Sequence, residues 1–293
     1  MDILVQVVAN GLMLSLLYSM VAIGLTMIYG VMHILNWAHG ELVMLGAMCA
    51  YFLVAQQELN FTLSLLITVI IVGLFAVLIE RYSFRYMRGL HLPSFIMSMG
   101  LVYILQAIAI APFGAGDKML PSVLPGSTTM FGAIVPNERL VLIPIAASIT
   151  VAYYYFLQKT RWGRAIRATS MDEIGAGLQG VSPNHAAAIA FGTGSAIAAA
   201  AGHLMAPIIK INPFIGEAIV FKAFLITFVG GRLSLVGTIL ASFLIGYTES
   251  IIAGYWNSAW IPMVEMVILA MVLLFRPGGL IGTEVKKLGA ERE

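Results

Sequence analysis

Apolar residues run along this chain in long unbroken blocks, not in the alternation of a half-buried strand or the one-sided stripe of a soluble helix. A helix needs about 20 apolar residues to cross a hydrocarbon core about 30 Å thick, because each residue rises about 1.5 Å. Blocks of that kind fall at 3–29, 34–55, 60–80, 94–112, 139–158, 185–209, 233–253 and 259–275. A ninth, 217–230, is shorter and interrupted by Lys222, which predicts a half-span or a re-entrant helix packed inside protein. The ten-residue alternating segments of an outer-membrane barrel are absent. The pattern predicts an all-α integral membrane protein, a single polytopic helical bundle over 1–293 with eight or nine membrane segments.

Composition narrows the function classes. Hydrophobic residues make up 60% of the 293 positions and charged residues 10%, against roughly 25% charged in a soluble domain. An ordinary soluble enzyme is excluded. Sixteen basic residues against 14 acidic leave a net charge of +2, which gives no electrostatic case for nucleic acid. The single cysteine, Cys49, excludes an intrachain disulfide and a multi-cysteine metal site. His33, His39, His91, His185 and His203 have no metal-ligand spacing, and no phosphate-binding loop or hydrolase motif is present. No residue is assigned to catalysis or to a metal. Gly192-Thr193-Gly194-Ser195 suggests an intramembrane nucleophile, but small residues on a membrane helix serve close helix packing, and nothing identifies a base.

The basic residues orient the chain. Arg81, Arg85 and Arg88 follow the third block, and Lys159, Arg161, Arg164 and Arg167 follow the fifth. Arg232 follows the short block, and Arg276, Lys286, Lys287 and Arg292 follow the last. That side is cytoplasmic by the excess of Lys and Arg, leaving Lys118, Arg139, Lys210 and Lys222 for the other. Nine crossings then put the C-terminus in the cytoplasm and the N-terminus outside. The start, Met1-Asp2, lacks the basic region of a cleaved signal, so the first block is expected to stay.

Two connections exceed a minimal loop. Residues 113–138, with Pro121, Pro125 and Pro136, are expected to be an irregular extracytoplasmic loop. Residues 159–184 are expected on the cytoplasmic side, with a short helix over 171–180. Ser170 and Glu173 fit a capping box, Asp172 and Glu173 suit the positive end of the helix, and Gly180 followed by Pro183 ends it. Gly175 and Gly177 make the helix too weak to stand alone in water. It is either a connector on the bilayer interface or a segment that docks on a protein.

Ionisable residues inside membrane segments mark function or structural pairs. Here they are Glu249, Glu265 and Lys222, the last expected to pair with Glu217, while Asn10 suits a helix–helix hydrogen bond. Asn36-Trp37-Ala38-His39-Gly40-Glu41 sets an amide, an imidazole and a carboxylate at the expected cytoplasmic entrance of the second segment. His39 and Glu41 are two apart and point to different helix faces. Gly40 is read either as a local helix break or as part of a fixed turn.

That hexapeptide, followed by Met44-Leu45-Gly46-Ala47, resembles the signature of branched-chain amino-acid ABC transporter permeases of the LivH type. The likeness extends to Gly24-Leu25-Thr26-Met27-Ile28-Tyr29-Gly30, Gly163-Arg164-Ala165-Ile166-Arg167-Ala168, and the helix holding Asp172, Ala176 and Gly180. It continues through Lys222-Ala223-Phe224, Gly230-Gly231, Glu249 and Arg276-Pro277-Gly278-Gly279-Leu280, in order along nearly the whole chain. Trp37 replaces the usual phenylalanine, and Leu233 stands where the family has a glycine.

The resemblance implies a permease subunit of the bacterial inner membrane, not an enzyme, forming half of a translocation pathway. It implies a second, LivM-type permease, two cytoplasmic ATPases that carry the ATP and Mg, and a periplasmic solute-binding protein. The 171–180 segment then becomes a coupling helix, contacting an ATPase through Asp172, Glu173, Ala176, Gly177 and Gly180, flanked by Arg161, Arg164 and Arg167. Asn36, His39, Gly40, Glu41, Lys222 and Glu249 become motif and pathway residues. Urea or amides suit the same apolar pathway. A proton-coupled carrier using Glu249, Glu265 or Lys222 is the reading from another class.

Overall fold

The computed structural model describes residues 2–130, 133–231 and 233–281. Met1, Arg232, Lys286, Lys287 and Arg292, used above, lie outside them. Eleven α-helices are found among the described residues: α1 (Asp2–Met32), α2 (His39–Ala50, continued by a wider π-helical turn over Tyr51–Gln56), α3 (Phe61–Tyr82), α4 (His91–Phe113), α5 (Asn137–Lys159), α6 (Arg161–Met171), α7 (Glu173–Leu178), α8 (Pro183–Met205), α9 (Ile215–Gly230), α10 (Leu235–Tyr255) and α11 (Ile261–Phe275). Eight helical stretches are long and apolar enough to cross a membrane. The chain is a multi-pass α-helical membrane protein.

Helix α1 is the axis of the bundle and packs against α5, α8, α9 and α10. All these helices are apolar, so shape and sparse polar contacts decide which sits inside. Gly24 faces Gly194, where a methyl on either would run into the other's backbone, so α1 and α8 cross backbone to backbone. This is the packing role expected for Gly192-Thr193-Gly194-Ser195. Ser15, Ser19 and Thr26 on α1 are buried and paired: Thr26 Oγ1 lies 3.1 Å from both Thr227 and Thr238 Oγ1, Ser15 Oγ donates to Gly11 O, and Ser19 Oγ donates to Leu16 O. Helix α11, by contrast, turns most of its surface outward.

The helix ends fall into two groups. At one end, Gln6 donates to Ile134 O, and Lys118 and Ile211 exchange backbone hydrogen bonds, joining the start of α1 to the 114–136 and 206–214 connections. At the other, Gly30 lies against Leu233 and Ser170, and Leu280 N–H donates to Val229 O at 2.8 Å. Helix α9 links the 206–214 connection to this second, arginine-rich end. Its 16 residues rise about 24 Å. The short block is a complete, if brief, pass between the ends.

The connections depart from expectation. Residues 114–136 are not wholly irregular: β1 (Ser127–Met130) and β2 (Ala133–Pro136) pair antiparallel, and Val135 is buried. The 159–184 connection contains α6 ahead of the short helix. Thr160 caps α6 by accepting from Gly163 N–H at 3.0 Å, and Gly163, Ile166 and Thr169 bury one stripe of it.

Candidate functional site

Polar groups gather in two regions. The first is the arginine-rich end. Helix α6 runs through Ser170, whose hydroxyl donates to Arg167 O, so the expected capping box does not form. Asp172 is the cap instead, its Oδ1 accepting from Ile174 and Gly175 N–H, both at 3.0 Å. The expected 171–180 helix is therefore α7, a six-residue helix starting at Glu173.

Its exit is closed twice. Val181 N–H donates to Ala176 O and Gly180 N–H to Gly177 O, with Gly180 at φ 84°, a left-handed end that suits glycine. Ala176 is buried under this turn. Met171, Ile174 and Leu178 are 86%, 79% and 83% exposed, so nothing among the described residues covers them. Gly177 is open on its outer side.

Arg161 and Arg164 are exposed in the first turn of α6, and Arg164 donates to Lys159 O. Arg167 is half-buried and held by Gln158. Arg85 and Arg88 do more than follow a span. Each donates to the fully buried Glu80 carboxylate at 2.8 Å, and Arg88 also reaches Asn184 at 3.0 Å, tying the 83–90 connection to the start of α8. Glu80 raises the Arg85 pKa above its ordinary value, chiefly through this hydrogen bond.

The second region is the interior of the bundle. After α1 the chain leaves helical form over 33–38 and folds back inward. His39 Nε2 lies 3.1 Å from Val21 O, eleven residues before the end of α1, about 16 Å of helix rise. The hexapeptide thus lies within the bundle and not at its entrance. Trp37 anchors this fold-back against the bundle, stacked on Phe224 at 5.4 Å and edge-on to Phe95. Gly40 is helical, not a break. A methyl there would strike the Gly216 carbonyl and Val220, so glycine sets the approach of α2 to α9.

Asn36 is fully buried with neither amide atom partnered. Since a carbonyl only accepts, Nε2 of His39 carries the proton, and Nδ1 has no partner. Glu41 points the other way. Its Oε1 accepts from Gln106 Nε2 at 3.2 Å, which also donates to Glu217 at 3.1 Å, and its Oε2 is unpartnered.

Glu217 therefore does not pair with Lys222, as the sequence suggested. Lys222 binds Glu249 and lies 3.2 Å from Glu265 Oε1 and 3.2 Å from the Tyr18 hydroxyl, which donates to Glu249 Oε2 at 2.8 Å. One cation thus joins α1, α9, α10 and α11. Asn10 accepts from Arg139 across α1 and α5. Tyr18, Gln106 and Glu80 were missed in the sequence, because a tyrosine or glutamine inside an apolar block carries no local signal of its partner.

Comparison with known proteins bears on these regions together. The family described as "Branched-chain amino acid transport system / permease component" matches residues 7–276. The chain is 31% identical to the high-affinity branched-chain amino acid transport system permease protein BraD of Pseudomonas aeruginosa, over 97% of each chain. It is 29% identical to the corresponding LivH of Escherichia coli, also over 97% of each. Among solved structures, PsaBC from Streptococcus pneumoniae, in complex with Fab, aligns over 90% of each chain with a TM-score of 0.50 and 13% identity, a likeness of fold alone. These relatives agree with the permease reading and not with a self-contained proton-coupled carrier. The chain belongs to the branched-chain amino acid transport system permease family.

Proposed function

We propose that this chain is one half of the translocation pathway of an ATP-driven importer for branched-chain amino acids in the bacterial inner membrane. The arginine-rich end faces the cytoplasm, the N-terminus and the 113–138 segment face the periplasm, and the described C-terminal segment after α11 is cytoplasmic. A second, LivM-type permease completes the pathway. Two ATPases bind below and bring ATP and Mg, and a solute-binding protein delivers substrate from above.

The observation that carries this reading is α7. A short, glycine-rich helix with Ile174 and Leu178 exposed, and with Met171 exposed at the end of α6 just before it, has no folded-state reason to stand at the surface of a lone chain. An ATPase groove supplies the missing contact, so the segment is a coupling helix that meets it through Asp172, Glu173, Gly177 and Gly180, while Ala176, expected as a contact, is buried and holds the turn from within. Arg161 and Arg164 are placed for acidic ATPase surface or lipid phosphates. ATP binding then stabilises the conformation in which both coupling helices are drawn together, and the bundle follows because its alternative packing loses by comparison.

The test is Gly177→Trp, with the chain co-expressed with its ATPases. A Cβ at Gly177 meets no atom of the described residues, so the unfolding temperature is expected to stay at the wild-type value while ATPase recovery and ATP-dependent leucine uptake fall together. Normal ATPase recovery with the variant would remove the docking role of α7.

A further inference from the structure

A cavity of 420 Å³ opens at the end of the bundle where α1 begins, between α1, α5, α10 and the 206–214 connection. Small-molecule sites occupy about 300–1,000 Å³. Arg139 and Glu249 both line it, as does Asn10, while Val7, Leu14 and Ile208 supply apolar wall. One guanidinium nitrogen of Arg139 donates to Asn10, and no carboxylate among the described residues is within ion-pair distance of it. Tyr18 and Lys222 both hold Oε2 of Glu249, which leaves Oε1 for another donor.

We infer that this cavity is a binding site for a zwitterionic α-amino acid with an aliphatic side chain, the carboxylate held by Arg139 and the ammonium by Glu249. The inference rests on the importer reading and names where that substrate is first held by this chain. Charge balance supports it. In the lining Arg139 offsets Glu249, and behind it Lys222 offsets Glu265, so the site favours neither a net anion nor a net cation. Its separated positive and negative poles favour a molecule that carries both. A planar guanidinium suits a carboxylate through two parallel hydrogen bonds, and the wall of Val7, Leu14 and Ile208 takes the side chain.

The experiment uses the intact transporter in lipid nanodiscs, without the soluble binding protein, and measures equilibrium binding of radiolabelled L-leucine. L-Leucinamide, which lacks the carboxylate, and 4-methylpentanoate, which lacks the ammonium, serve as competitors. Leucine is expected to bind, with each competitor at least ten-fold weaker. Arg139→Gln should weaken leucine at least ten-fold and bring it level with leucinamide. Ala253→Phe, which fills the cavity from α10 without altering a charge, should abolish binding.

Glu249→Gln would also release Lys222 and so disturb the helix contacts as well as the site. The two variants above keep the test independent of it. Leucine binding unchanged in both, or no discrimination against leucinamide by the wild type, overturns the site. A phosphoethanolamine headgroup carries the same two charges, so discs are made with and without that lipid. Equal leucine binding in both supports the amino-acid site. Retention of the lipid that Arg139→Gln abolishes, with no leucine binding in either disc, overturns it. ATP-dependent uptake by the wild type tests the importer reading separately, so the two cannot fail unnoticed together.

Discussion

The α6–α7 segment and the Lys222 cluster are both polar, but they are built by different rules. In α6–α7 every cap is local: Thr160 to Gly163, Asp172 to Gly175, Val181 back to Ala176. In the cluster every contact is distant, with Lys222 meeting Tyr18, Glu249 and Glu265 from three other helices. Water supports the first region and is excluded from much of the second. A local error in α7 should therefore cost partner binding, whereas a missing charge in the cluster should cost the bundle itself.

Lys222→Met separates the two most sharply. It leaves Glu249 and Glu265 facing each other without their cation, and breaking such a pair costs about 3–5 kcal/mol. The solubilised protein is expected to unfold at markedly lower temperature and to give poor yield. If Lys222→Met unfolds like wild type, the cluster is not what joins α9 to α10 and α11.

Gly180→Ala comes next. It forces an L side chain into the left-handed region at about 1–2 kcal/mol, confined to the α7 exit, so ATPase recovery should drop while the unfolding temperature of the bundle holds. Asp172→Ala removes the α7 cap at about 1 kcal/mol with the same split, and Asp172→Asn should restore recovery. Smallest is Ser170→Ala, which removes a hydroxyl bonded within α6. An effect below about 0.5 kcal/mol is expected, and ATPase recovery should match wild type. A loss equal to that of Asp172→Ala would reinstate Ser170 as the cap.

This division also explains what could be read from the sequence. Crossing helices follow from apolar length, which is a local quantity, and so did the bundle and its glycine-mediated packing. The pairing of Glu217 with Lys222 failed on a local quantity too. Five residues on one helix are about 140° apart, so the two side chains face different neighbours. Ser170 was misplaced because α6, amphipathic through Gly163, Ile166 and Thr169, went unrecognised ahead of it. The depth of Asn36, His39 and Glu41 was not readable at all. It depends on Trp37 stacking on Phe224, nearly 190 residues away, and no pattern around Trp37 announces that contact.

The central claim is that this chain works only as part of an ATP-driven assembly. It is tested most directly by purifying the tagged chain from native membranes in mild detergent and identifying what comes with it by mass spectrometry. Recovery of a second permease and ATPase subunits, with leucine uptake that requires ATP after reconstitution, is the predicted result. Recovery of this chain alone, in a form that moves solute down a proton gradient without ATP, would contradict it.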